Sequence, residues 1–251
     1  MCFLAFLSPY SHCKVYSSET VKTSALLGSA TSLISTAKNV YSSGDGLPEY
    51  KVVCYFSSWS HSRKGRGKFE ISNIDANLCT HIIYVYATHR DNQIVDREHF
   101  RDLEGLGNLD GYKHFNDLKL KNPKLKTLIS IWGSAESFSR MASDVGNRTR
   151  FVESVAPFLQ KRSTHGLEIK WVNGGNPEDK RNFVILLQEL KTNLKAQGLL
   201  LTAAVPEEKL VIDRGYDILA LSKELDFINL NTYIGYTWIL QEGNWNANSS
   251  F

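Results

Sequence analysis

From residue 50 onward, short runs rich in β-branched and aromatic residues alternate with longer stretches of helical period. The strand-like runs are 51–57, 81–87, 126–132, 166–172, 199–205 and 226–233. The clearest helix lies between the fourth and fifth of them. Asn176 is placed to cap it, Pro177 suits its first position, and Glu178 and Asp179 complement its positive end. Phe183, Leu186, Leu187, Leu190 and Leu194 then recur at i, i+3, i+4 and i+7, and Gly198 ends the pattern. A second helix is predicted over about 148–162, with Phe151, Val155, Phe158 and Leu159 on one face. Repeated strand–helix alternation predicts a parallel α/β sheet, because parallel strands need crossover helices. The period fits a doubly wound sheet or a β/α barrel equally well.

The first 48 residues lack any such period. Fourteen are Ser or Thr and five are Lys, Asp or Glu. The apolar stretch 2–7 has no positive charge ahead of it and makes an unconvincing signal peptide. A poorly ordered N-terminal extension over 1–48, closing in a linker at 44–48, and one folded domain over 49–251 are the expected organisation. Hydrophobic residues at 42% and charged residues at 22% are ordinary for a globular chain. A net charge of +3 argues against a nucleic-acid partner. No apolar run approaches the roughly 18–20 residues that cross a bilayer, so no membrane partner is expected. The four cysteines do not pair at zinc-binding spacings, and neither metal nor cofactor is expected.

Several segments carry a family resemblance when taken in order. They are 51–59 (KVVCYFSSW), 65–69 (GRGKF), 77–84 (NLCTHIIY), 111–116 (GYKHFN), 122–128 (NPKLKTL), 174–180 (GGNPEDK), 201–205 and 225–233. Over roughly residues 50–240 the chain resembles the glycoside hydrolase family 18 chitinases and chitinase-like proteins. The resemblance implies an α/β fold, a TIM-type (β/α) barrel with its site at the C-terminal ends of the strands. The barrel is expected to be incomplete, with about six of eight β/α units, since the chain stops soon after the sixth strand.

The fourth strand-like run matches the family's catalytic signature and departs from it. That signature sets Asp, Asp and Glu at alternating positions after an earlier Asp. Here the corresponding residues are His165, Glu168, Lys170 and Val172. Strand alternation sends 168, 170 and 172 to one face, the barrel interior. The chemistry the resemblance implies needs a carboxylic acid to protonate the leaving oxygen, and Val172 stands in its place. The acetamido group of the substrate serves as nucleophile there, held by a carboxylate two residues earlier. Lys170 offers the opposite charge. Glu168 is expected to form an ion pair with Lys170. Nearby, Ser130-Ile131-Trp132-Gly133-Ser134 stands where the family's third strand ends in Ser-x-Gly-Gly followed by Trp, and Asn231-Thr232-Tyr233-Ile234 lacks the family's Met and Asp.

Aromatic residues at cleft positions remain. Tyr55, Trp59, Tyr86, Trp132 and Tyr233 are the candidate sugar-binding residues, because flat rings suit the apolar faces of pyranoses. For Tyr55 and Tyr86 the competing reading is simple core filling. The resemblance also implies a disulfide between Cys54 and Cys79. Asn147 and Asn248 open glycosylation sequons, which matter in a secreted chain. The expected function is that of a catalytically inactive chitinase-like protein, a monomer binding chitin or N-acetylglucosamine oligosaccharides, and extracellular by resemblance. The alternatives are a decayed or truncated relative with no function of its own, and a residual chitin hydrolase using Glu168.

Overall fold

The structure, a computed structural model, describes residues 4–6, 50–97, 110–172 and 175–231. Among them are eight strands: β1 (Leu4–Phe6), β2 (Val53–Ser57), β3 (His81–Arg90), β4 (Gln93–Asp96), β5 (Lys126–Trp132), β6 (Gly166–Lys170), β7 (Leu200–Pro206) and β8 (Phe227–Asn231). The helices are α1 (Gly111–Lys121), α2 (Ala135–Ser143), α3 (Val145–Lys161), α4 (Pro177–Lys195), α5 (Lys209–Gly215) and α6 (Ile218–Glu224). The six strands expected from residue 50 onward are all present. They lie parallel and in sequential order, β2-β3-β5-β6-β7-β8. That order belongs to an incomplete (β/α) barrel and not to a doubly wound sheet. Leu4–Phe6 adds a short parallel strand at the β2 edge, Leu4 against Val53 and Phe6 against Tyr55. The rest of the N-terminal extension lies outside the described residues.

The two faces of the sheet separate cleanly. Cys54, Phe56, Ile82, Tyr84, Ile129, Ile131, Leu167, Ile169, Leu201 and Ala203 pack outward against the helices in one large apolar core. Val53, Tyr55, Ile83 and Leu128 form a second, smaller cluster on the inner face. Helix α4 shows how the local pattern produces this packing. The Asn176 side chain accepts the Glu178 amide at 2.8 Å. Phe183, Leu186, Leu187, Leu190 and Leu194 are all fully buried, each contributing about 1.5–3 kcal/mol of transfer free energy. Gly198 ends the segment at φ +68, a conformation that glycine adopts without strain. Gly166 answers a different need. A Cβ there would collide with the Leu200 carbonyl, so glycine lets β6 approach β7.

Three details differ from the sequence expectation. β6 ends at Lys170 and not at Val172, because its partner β5 ends at Trp132, opposite Lys170. The second helix begins at Val145, capped by the Asp144 carboxylate accepting the Asn147 amide. β3 runs on to Arg90 and turns back as β4 through Asp91 and Asn92, both at positive φ. That two-residue turn is the hairpin geometry Asp and Asn tolerate. The Cys54–Cys79 disulfide is formed, with Cα atoms 6.1 Å apart, and ties β2 to the segment entering β3.

Candidate functional site

The site is built on the inner face, where alternation along each strand brings distant residues into one layer. Tyr55 from β2, Ser130 from β5, Glu168 from β6 and Asn229 from β8 meet inside the barrel. Glu168 is fully buried. Its Oε2 accepts a short hydrogen bond from the Tyr55 hydroxyl and one of 2.7 Å from Asn229 Nδ2. Its Oε1 and the Asn229 Oδ1 have no donor. Burial pushes the Glu168 carboxyl up from its ordinary value, since a carboxylate loses its hydration there. The bonds from Tyr55 and Asn229, the nearby Ser130 hydroxyl and the charge of Lys170 oppose that rise without cancelling it. Ser130 pairs with Glu168 across β5–β6 but completes no well-formed bond to Oε1.

The expected Glu168–Lys170 ion pair is absent. Glu168 is held by two neutral donors from strands at opposite ends of the sheet. Lys170 sits one step nearer the mouth, with its Nζ 4.3 Å from the centroid of the Trp132 ring, within cation–π range. Val172 lies just past the end of β6 and is 37% exposed. Trp171, between them, turns to the helix side and stacks on Phe138 at 5.6 Å. His165 belongs to the other end of the barrel. It precedes β6 by one residue, so five residues separate it from Lys170, roughly 16 Å of strand. The Thr127 amide donates to its Nδ1 at 3.1 Å. Burial, together with the charges of Lys119, Lys126 and His81, lowers its pKa to about 4.

At the mouth, three of the candidate aromatics come together. The β3–β5 register slips between Val85 and Ala87, leaving Tyr86 as an extra residue aimed at the mouth. Its ring meets Trp132 at 4.9 Å and Trp59 at 6.1 Å, both edge-on. Trp59 is carried by a 3-10 turn, Ser58–Ser62, that follows β2 directly. Beside this strip is a groove of about 360 Å³ lined by Tyr86, Thr88, Arg97, Trp132, Gly133 and Ser134. A larger hollow of about 680 Å³ between α1 and the end of α3 holds none of these aromatics.

Tyr55 is not part of the strip: it is 7% exposed and serves Glu168 in the interior. Tyr233 and Asn248 lie outside the described residues. Asn147 sits in the first turn of α3, half-buried, and accepts from Asn92 Nδ2 at 2.8 Å. Two site residues escape sequence reasoning. Asn229 is signalled by Phe227-x-Asn229-x-Asn231, which alternates onto the inner face. Arg97 is reached through the Asp91-Asn92 turn that places β4 beside β3; its guanidinium lies 4.5 Å over Tyr86 and 5.8 Å from Trp59.

Residues 51–249 match the sequence profile of Glycosyl hydrolases family 18. The chain belongs to that family. Among family 18 relatives, human Chitinase-3-like protein 2 is 36% identical over 200 residues, 75% of this chain and 49% of that protein. Mouse Chitotriosidase-1 is 36% identical over 197 residues, covering 73% of this chain and 41% of that protein. The Group IV chitinase of Ostrinia furnacalis superposes with a TM-score of 0.69 at 31% identity, over 74% of this chain and 52% of that structure. Human YKL-39, described as a pseudo-chitinase with retained chitooligosaccharide binding properties, superposes with a TM-score of 0.65 at 35% identity, over 72% and 50% of the two chains. This family 18 chain thus spans about half the length, or less, of the relatives it matches.

Proposed function

We propose that this protein binds N-acetylglucosamine oligosaccharides at the barrel mouth and does not hydrolyse them. The observation that carries the reading is the division of labour along β6. Its one inward carboxyl, Glu168, is sealed in the interior by Tyr55 and Asn229, while Lys170 lies nearer the mouth and Val172 sits exposed just past the strand end. By family resemblance those are the positions of the acetamido-orienting carboxylate and the proton donor. A valine cannot deliver a proton, and general acid catalysis alone contributes about 10²–10⁴-fold. Lys170 also places a cation where a cationic oxazolinium would develop. Restoring only the acid, Val172→Glu, fails on the same grounds, since Lys170 pairs with the new carboxylate and holds it ionised.

Binding needs less. The Trp59–Tyr86–Trp132 strip supplies apolar ring faces with polar edges beside an open groove, a suitable surface for pyranose rings. The Cys54–Cys79 disulfide supports an oxidising, extracellular setting for such a lectin-like role. The test is titration of the folded chain with chitohexaose, followed by tryptophan fluorescence. Saturable quenching that weakens at least about tenfold in Trp132→Ala is the expected result, a loss of the size typical of a central aromatic contact. Absence of binding would favour a decayed relative with no function of its own.

A further inference from the structure

The loop that leaves β2 places four cations in six residues, Arg63, Lys64, Arg66 and Lys68, with no carboxylate among them. All four are exposed. Several exposed cations elsewhere in the fold face an acid one helical turn away: Lys113 meets Asp117, Arg140 meets Glu136 and Lys209 meets Asp213. In the loop Lys68 does the same with Glu70, at 2.6 Å. Among the described residues, the side chains of Arg63, Lys64 and Arg66 make no ion pair or hydrogen bond. Three cations crowded together repel one another, and no acid of the described fold relieves them.

The loop is also held in shape. The Phe69 amide donates to the Ser60 carbonyl at 3.1 Å, and the Ser60 hydroxyl donates to the Phe69 carbonyl at 2.7 Å. These bonds pin its two ends together, and Phe69 packs against the large core. Between them, the Gly67 amide donates to the Lys64 carbonyl and the Lys68 amide to the Gly65 carbonyl. The Arg63 stem lies beside Gly67, where a Cβ would meet it at 3.7 Å. A backbone fixed in this way costs little to order when a ligand binds.

We propose that this loop binds a linear sulfated polysaccharide, with Arg63 and Arg66 gripping sulfates and Lys64 adding charge. A guanidinium fork matches two oxygens of one sulfate and bonds them in a bidentate, charge-assisted way. The stretch 60–68 has no apolar side chain to enter a bilayer. Its one ring, His61, is held to the Ser58 carbonyl at 2.6 Å and offers no platform for stacking nucleobases. The Cys54–Cys79 disulfide fits an oxidising compartment, where sulfated glycans are abundant polyanions. The inference does not depend on the mouth binding a neutral sugar.

The full, disulfide-bonded chain is titrated with a heparin oligosaccharide by calorimetry between about 50 and 200 mM salt. Binding is expected to be saturable, with log K falling against log salt at a slope of roughly −2 to −3, as for three neutralised charges on a polyanion. Arg63→Gln combined with Arg66→Gln should weaken it at least about tenfold and remove about one unit of slope per arginine. Arg63→Lys with Arg66→Lys should keep the slope and lose part of the affinity, since charge remains and the fork does not. All four side chains changed are exposed, and glutamine and lysine preserve the stem. Lys124→Gln with Lys223→Gln is the control: it removes the same charge just before β5 and β8, at the opposite end of the parallel strands, and should leave binding nearly unchanged. Absence of heparin binding would overturn the inference. So would an equal loss in the control variant, which would make the attraction one of net charge. Tighter binding of oligothymidylate or of phosphatidylserine vesicles, lost in Arg63→Gln/Arg66→Gln, would also overturn it and assign the loop to a different polyanion.

Discussion

Removing one oxygen atom tests how the barrel interior is held. Tyr55→Phe deletes the hydroxyl that donates to Glu168 and leaves the ring, which is 7% exposed, in place. Almost no apolar burial changes, so the cost comes from the hydrogen bond. A buried carboxylate then keeps a single direct donor, Asn229 Nδ2 at 2.7 Å, with Oε1 already lacking one. Hydrogen bonds to charged groups contribute about 1.5–3 kcal/mol, and neutral ones about 0.5–1.5 kcal/mol. The expected loss is thus about 2 kcal/mol with Glu168 ionised, a Tm lower by roughly 4–8 °C for a domain of this size. The sign of the pH dependence follows from the raised carboxyl. Above its folded pKa, Glu168 is ionised and the bond is charge-assisted; below it, the bond is neutral and Tyr55→Phe costs less. Urea unfolding at pH values of about 5 and 8, on wild type, Tyr55→Phe, Glu168→Gln and the double variant, reads both the loss and the coupling. A cost below about 0.5 kcal/mol at both pH values would mean that the Tyr55 hydroxyl does not support Glu168. So would a cost unchanged in the Glu168→Gln background.

Two titrating groups should tilt stability in opposite directions in mildly acidic solution. His165 has its folded pKa lowered from 6.5 to about 4, so its contribution is complete above 6.5 and is lost as pH falls toward 4. His165→Gln should flatten that loss in a Tm-against-pH series. Glu168, raised above its unfolded value, acts oppositely: stability is greatest below about 4.5 and declines as pH climbs through the folded pKa, a slope that Glu168→Gln should remove. Replacing Cys54 and Cys79 by alanine should destabilise the fold by about 3.5 kcal/mol, the loop-closure entropy for their separation of 25 residues. Unfolding of the double variant measured against the oxidised protein checks it, and a change below about 1 kcal/mol would mean that the bridge constrains little.

The strands were legible because each is an apolar run of the right length, and α4 because its cap, first-turn acids, stripe and terminal glycine all agree. Register and closure needed the fold. Glu168 and Lys170 share the inner face, as alternation requires, yet their pairing could not be read from adjacency. Tyr55 lies 113 residues before Glu168 and Asn229 lies 61 after it. The curvature of the sheet brings all three together, and neutral donors then meet the buried carboxyl. β4 went unread because Gln93–Asp96 is short and places one residue, Ile94, deep in the core. With it went Arg97, the charged residue among the described residues that line the groove. Tyr86 could be named as a cleft residue, but its aim depends on the register slip with β5, a relation between strands.

The proposed role requires the mouth to hold an amino-sugar oligosaccharide without cutting it. The most direct measurement is mass analysis of chitohexaose incubated with the folded, disulfide-bonded chain for a day, under conditions where fluorescence shows the site to be occupied. An intact hexamer alongside saturable binding is the predicted result. Accumulation of shorter oligosaccharides, abolished by Glu168→Gln, would contradict it and make the buried carboxyl the acid.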